Sequence, residues 1–123
     1  MKLRVALAQI NPTVGDLAGN AALISTYTEQ AKKAGADVIV FPEMVLTGYP
    51  VEDLAMRASF RSASKKALAQ LVISVDPSIV SVVGYLDQSP SGAPQNTVAI
   101  VYESKVVATY TKRHLPNLSL IHI

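Results

Sequence analysis

The chain contains no cysteine. Disulfides and thiolate metal sites are therefore excluded from these residues. No apolar run reaches the length of a membrane span. The opening Met1-Lys2-Leu3-Arg4-Val5-Ala6-Leu7-Ala8 has the basic-then-apolar order of a leader, but the apolar stretch stops at Gln9, too short for a signal h-region. A buried first strand is the better reading, and the cytoplasm is the expected compartment. Charge is also sparse. Only 16% of residues are charged, net charge is +2, and the eleven Lys and Arg side chains are scattered. Without a basic block or an arginine-rich helix there is no electrostatic case for nucleic acid or a membrane surface as partner. Repeats and low-complexity linkers are missing too.

What the chain has is an apolar lean. Half of its 123 residues are hydrophobic, enough for one small domain with a core and too few residues for two domains. Leu3 to Ile10 reads as a strand, ended by Asn11-Pro12. Asp16 is a plausible N-cap for a helix whose inner face carries Leu17, Ala21, Ile24, Ala31 and Ala34, and Gly35 stands where a glycine stop belongs. Val38-Ile39-Val40-Phe41 is a short buried strand ended by Pro42. Pro42 to Asp53 is a long loop. A second helix is expected from about Ser59 to Val75, with Phe60, Ala67, Leu68, Leu71 and Val72 on one side. Ile79 to Leu86 is a strand, residues 89–94 a turn, and Thr97 to Tyr102 with Lys105 to Tyr110 a hairpin across Glu103-Ser104. The order is that of an α/β domain with a mixed sheet and helices covering at least one face.

Two charged residues stand out. Glu43 follows Phe41-Pro42 at the C-terminal end of a buried strand, where ligands gather in open α/β sheets. Partial desolvation there makes a carboxylate a usable base; the structural alternative is a turn cap or a partner for a lysine. Lys112 follows the last strand, ahead of Arg113-His114. A lysine at a strand end can donate to an oxyanion, and the alternative is a solvated basic turn. His114, beside Leu115-Pro116, reads as a packed side chain.

Taken together, three segments resemble one family. Phe41-Pro42-Glu43-Met44-Val45-Leu46-Thr47-Gly48-Tyr49-Pro50 is similar to the first catalytic motif of the carbon-nitrogen hydrolase, or nitrilase, superfamily. Asn96-Thr97-Val98-Ala99-Ile100 with Tyr110-Thr111-Lys112-Arg113-His114-Leu115-Pro116-Asn117 resembles the second. Val5-Ala6-Leu7-Ala8-Gln9-Ile10-Asn11-Pro12, with Gly15-Asp16 and Asn20, matches the superfamily's first strand and turn. Within the superfamily, Thr47-Gly48-Tyr49-Pro50 before Glu52-Asp53-Leu54 looks most like the amidase domain of glutamine-dependent NAD synthetases.

The resemblance implies a nitrilase-type αββα sandwich, incomplete in this chain, and a Glu-Lys-Cys site. Glu43 would be the general base, Lys112 the oxyanion stabiliser and a cysteine the nucleophile attacking the carboxamide of glutamine. Tyr49 matches a position in the glutamine pocket, with loop packing as its alternative. Asn96 is expected to be structural, holding the backbone near the site. Glu52 and Asp53 are expected to cap the following short helix, with contact to the substrate's amino group as the alternative. No metal is implied. ATP and magnesium are implied for a separate C-terminal synthetase domain, since no Gly-rich phosphate loop occurs in these residues, and homo-oligomers are implied for the full-length protein.

The pattern also breaks. The cysteine is missing, and family domains are roughly twice this length because they cover two sheets. Residues 1–117 are therefore expected to be a partial amidase domain without catalytic activity of its own. After Asn117 the family continues Tyr-Gly-Val-Phe-Asp-Glu, whereas here Leu118-Ser119-Leu120-Ile121-His122-Ile123 stands, so residues 118–123 are expected to be a non-native tail. Two further readings remain at this point: a free-standing amidase for a small amide or carbamoyl compound, and a non-catalytic interaction module.

Overall fold

The computed structural model describes residues 2–112. The expected tail and the segment 113–117, with His114, lie outside the described residues. The elements follow in the order β1 (Val5–Leu7), α1 (Leu17–Lys33), β2 (Val38–Val40), a short 3₁₀ helix (Glu52–Met56), α2 (Ala58–Ser74), β3 (Val80–Gln88), β4 (Pro94–Tyr102) and β5 (Lys105–Thr111). The five strands form one sheet in the order β1-β2-β3-β4-β5. The first three are parallel, and β3-β4 and β4-β5 are antiparallel. The α/β class and the mixed sheet are thus as the sequence indicates.

Element boundaries move for local reasons. β1 is three residues rather than eight because it pairs only with the three residues of β2. β4 begins at Pro94, opposite Gln88; a strand's first residue is a position that tolerates the missing N–H of proline. The Asp16 side chain accepts from Gly19 N (3.0 Å) and caps α1. Gly35, at φ +86°, takes the left-handed position that ends the helix. The hairpin between β4 and β5 turns on Glu103 and Ser104, both at positive φ, which matches the twist of the flanking strands.

Alternation along the strands sets two different faces. Ile39, Val83, Tyr85, Ala99 and Val101 are buried and pack with Ile24 and Ala31 of α1 and Leu68, Leu71 and Val72 of α2. Full burial of each large aliphatic contributes roughly 1.5–3 kcal/mol, so this layer is the main source of stability. The α1 stripe differs from the apolar face read in the sequence, since Asn20 and Thr28 are buried in it. Thr28 returns its hydroxyl to Ile24 O (2.6 Å), whereas Asn20 bonds outside the helix. In α2, Phe60 packs against a second cluster of Met44, Val51, Ala55 and Leu86, and Arg61 takes a buried place, donating to Ala55 O (2.9 Å) and Gln88 Oε1 (3.2 Å).

The opposite face carries Val5, Leu7, Val38, Val40, Val80, Val82, Val98, Ile100 and Tyr110, and none of these is fully buried. Leu7 is 72% exposed. Among the described residues this face has no covering layer beyond the segment around Met44, so a second layer of a four-layer sandwich is not part of the described residues. No helix among them is long and apolar enough to cross a membrane. An apolar sheet face of this kind drives association. The 123-residue chain on its own should therefore elute from size exclusion with a concentration-dependent volume and bind a hydrophobic dye; a dilute monomer that melts cooperatively without binding dye would contradict this.

Candidate active site

The site is built where three segments end on the same edge of the sheet. β2 stops at Val40, and Phe41 N makes one more bond to Val82 O (3.1 Å) before Pro42 closes the ladder. The chain then turns back over β3. Leu46 N donates to Gly84 O (3.1 Å) and Thr47 N to Met44 O (3.2 Å). Met44 adopts φ +52° and is completely buried. The turn can sit this close to the sheet only because residue 84 is glycine: a Cβ there would collide with Met44 N. The same holds on the other side of the turn. Gly48, at φ +78°, lies where a Cβ would stand 2.6 Å from Val14 Cα, and left-handed backbone favours glycine in any case.

That turn presents Glu43. Lys112, one residue beyond β5, is held opposite β4 by its own N–H to Asn96 O (2.9 Å). Its Nζ donates to Glu43 Oε1 at 2.8 Å. Asn96 Nδ2 donates to the same oxygen at 2.7 Å. Asn96 was expected to hold backbone; its carbonyl does so through Lys112, and its side chain also touches the carboxylate directly. Two donors on Oε1 leave Oε2 as the carboxylate oxygen without a hydrogen bond from the described residues. The Lys112 and Glu43 side chains are 35% and 41% exposed, so both groups are partly desolvated while facing open space.

The open space is a cavity of about 510 Å³ lined by Phe41, Pro42, Glu43, Gly84, Asn96 and Lys112, with Val40, Val82, Val98 and Tyr110 as its apolar floor and wall. Carboxylate, ammonium and carboxamide thus converge on one concavity with hydrophobic surroundings, the usual composition of a small-molecule site. Lys112 holds its proton above the ordinary lysine value. The main cause is the hydrogen bond it donates to Glu43; desolvation opposes this, and the charges of Glu43 and Tyr49 add to it.

The remaining sequence candidates fall elsewhere. Tyr49 is 37% exposed and is not among the residues that line the cavity, although it lies near enough to Lys112 to act on its proton affinity. Glu52 and Asp53 lie inside the first turn of the 3₁₀ helix, whose N-cap is Val51 and carries no side-chain capping bond. Their capping role is therefore not what the structure shows; their charges simply sit at the favourable end of a short helix. Among the described residues no three His, Asp or Glu groups gather as a metal site. The N-terminus of α1 is capped by the Asp16 carboxylate, which accepts from Gly19 N. Gly84, whose role is purely steric, carries no signal in the sequence; Asn20 belongs to the opening motif, but its contacts are not readable from it.

The comparisons agree with this geometry. The carbon-nitrogen hydrolase profile matches residues 4–121. The chain is 38% identical over 117 residues to a glutamine-dependent NAD(+) synthetase of Acinetobacter baylyi and 36% identical over 117 residues to that of Thermotoga maritima, covering 95% and 94% of this chain. It spans about a fifth of the length of these curated relatives, 21% and 20%. The solved structure of the glutamine-dependent NAD+ synthetase from Acinetobacter baumannii, in complex with ADP, superposes with a TM-score of 0.87 at 38% identity over 95% of this chain and 22% of that one. An amidase from Nesterenkonia sp. shares the fold at TM-score 0.79 and 23% identity, over 98% of this chain and 46% of that one.

A raised lysine stabilises the fold at pH values below the ordinary lysine range, and that contribution is lost as pH rises through the higher folded-state value. On the alkaline side the Glu43–Lys112 pair is therefore lost as Lys112 gives up its proton. Glu43→Gln should bring the Lys112 titration, followed by carbon NMR of lysine labelled at Cε, back toward the ordinary lysine value; an unchanged titration would show that the two groups are not paired in solution. With the fold, the motif order and the convergent Glu43–Lys112–Asn96 geometry in place, the chain belongs to the carbon-nitrogen hydrolase family.

Proposed function

We propose that these residues form the base-and-oxyanion half of an amidase site that hydrolyses the side-chain amide of glutamine. In the whole protein the ammonia would be supplied to NAD synthesis, in a synthetase domain that uses ATP and magnesium. The observation that carries the reading is the double donation from Lys112 and Asn96 to one oxygen of Glu43. The similarity to glutamine-dependent NAD(+) synthetases over nearly the whole chain supports glutamine as the substrate.

The chemistry follows from the hydrogen-bond inventory. Glu43 Oε1 is fully engaged, so Oε2 is the oxygen that accepts a proton from the nucleophile. The nucleophile is a cysteine thiol from outside these 123 residues, since the chain itself has no cysteine. A thiol is mostly protonated at neutral pH and needs such a base. Attack of the thiolate on the carboxamide carbon places negative charge on the amide oxygen. Lys112 Nζ has three protons; one is committed to Glu43, and another is available to that oxyanion. Glu43, now protonated, returns the proton to the departing nitrogen, and ammonia leaves. Water then adds to the thioester with Glu43 again as base, releasing glutamate.

Asn96 orients the carboxylate in this scheme and keeps Oε2 turned toward the cavity. Tyr49 would belong to the rim of the glutamine pocket, since it lies near enough to Lys112 to act on its proton affinity.

In the full-length protein, Glu43→Gln should lower kcat/KM for glutamine hydrolysis by about 10²–10⁴-fold, the usual share of a general base. Lys112→Ala should cost about 10²–10³-fold, the loss typical of an oxyanion donor. Tyr49→Ala should raise KM for glutamine with little change in kcat. Ammonia release assayed across glutamine, asparagine and small aliphatic amides checks the substrate: a preference for small aliphatic amides over glutamine would sink the glutaminase reading, and full activity in Glu43→Gln would sink the amidase reading itself.

A further inference from the structure

Glu43 is held from the front by Lys112 and Asn96, but its turn is also held from behind by a residue with no contact to the cavity. Asn20 lies in the first turns of α1 and is 1% exposed. Its Oδ1 accepts from Thr13 N (2.8 Å), and its Nδ2 donates to Thr13 O (2.8 Å) and Leu46 O (3.0 Å). Both amide hydrogens and the carbonyl are therefore in use. The contact to Thr13 pairs both backbone groups of one residue, as a neighbouring strand would. The contact to Leu46 reaches the turn that carries Glu43.

The surrounding bonds show what this achieves. Gly15 N donates to Thr47 O (2.8 Å), so the 13–15 segment and the 44–48 turn are joined twice, once through backbone and once through Asn20. Thr47 is fully buried, and its hydroxyl lies 3.2 Å from Met44 O and 3.0 Å from Gly48 O, closing the turn on itself. On the far side Leu46 N is bonded to Gly84 O. Leu46 is thus gripped at both backbone groups, its N–H by the sheet and its C=O by α1. Removing Asn20 would leave Leu46 O, which belongs to a fully buried residue, without this partner, and unmet hydrogen bonds are expensive in such a place; Thr13 is exposed and can turn to water.

We infer that Asn20 is a positioning residue for Glu43, anchoring the 44–48 turn to α1 so that the carboxylate meets Lys112 and Asn96 at bonding distance. The inference rests on the reading of Glu43 as the base, and it adds a residue that lies behind the turn, outside the cavity. Its effect on reaction is indirect. Loosening the turn lets the carboxylate leave Oε1's two donors, and misplacement of a reacting group by about 1 Å is enough to cost on the order of a hundredfold in rate.

The test uses the Lys112 titration in the full-length protein, because a purely structural Asn20 would not move it. The groups that act on Lys112 are Glu43 and Tyr49, and neither is altered by the variant. Asn20→Ala should shift the Lys112 value most of the way from the parent's to that of Glu43→Gln. Leu68→Ala, a core truncation on α2 remote from the turn, should lower the melting temperature and leave Lys112 where it is. If Asn20→Ala folds and Lys112 titrates as in the parent, the proposal is overturned. If Asn20→Ala does not fold, Asn20→Ser, which keeps a hydroxyl and admits water, decides by the same two outcomes. Glutamine hydrolysis measured alongside separates the two readings: its absence in the parent defeats the amidase assignment, while the Lys112 titration still decides the role of Asn20.

Discussion

One carboxylate oxygen organises this structure. Glu43 Oε1 receives Lys112 Nζ and Asn96 Nδ2, and so ties the end of β2 to β4 and to the end of β5. The partners lie 53 and 69 residues apart from Glu43 in sequence. Parallel pairing of β2 with β3, and antiparallel pairing from β3 to β5, bring the end of β2, the start of β4 and the end of β5 to the same edge of the sheet. The topology is therefore what makes the contact possible, and the side chains finish it.

Placement of Glu43 depends on close approach more than on attraction. The turn after β2 lies against β3 at Gly84 and against the 13–15 segment at Gly48, and at both positions a Cβ would overlap backbone. Met44 accepts a left-handed backbone conformation inside the fold, which costs a non-glycine residue roughly 1–2 kcal/mol. Such conformations persist only where surrounding structure over-determines them. Here the over-determination is visible: Leu46 is bonded through both backbone groups, Thr47 through backbone and hydroxyl, and Met44 is buried with Val51, Ala55 and Leu86.

Much of this was readable from residues alone, and the boundary is physical. Periodicity and punctuation located both helices and the four strands after the first to within three residues, because Asp16, Gly35 and Pro42 act locally on the backbone. Glu43 and Lys112 were identifiable because each follows a strand end inside a motif. Asn96 was noticed, but the direction of its side chain depends on a cross-strand register that no local pattern states. Asn20 belongs to the opening motif, but it bonds a segment 26 residues away, which no local pattern states. Gly84 was invisible for the opposite reason: its role is the absence of an atom next to a loop from elsewhere. The Glu52-Asp53 pair shows the converse error, in which sequence position suggested a capping contact that the described geometry does not contain.

The arrangement is poorly explained as a device for stability. Glu43 and Lys112 are each more than a third exposed, and exposed ion pairs contribute about 1 kcal/mol or less, further reduced by salt. Set against that small gain are a buried residue at positive φ, two positions restricted to glycine, and a buried carboxamide whose every hydrogen bond must be met. A fold selected for stability alone would place an apolar side chain at Glu43 and relax the turn. The opposing costs make sense if the carboxylate must occupy one position relative to a substrate. Partial exposure then has a use: Glu43 and Lys112 both line the cavity, where a carboxamide and an incoming thiol would meet them, while Oε1 is held by Lys112 and Asn96.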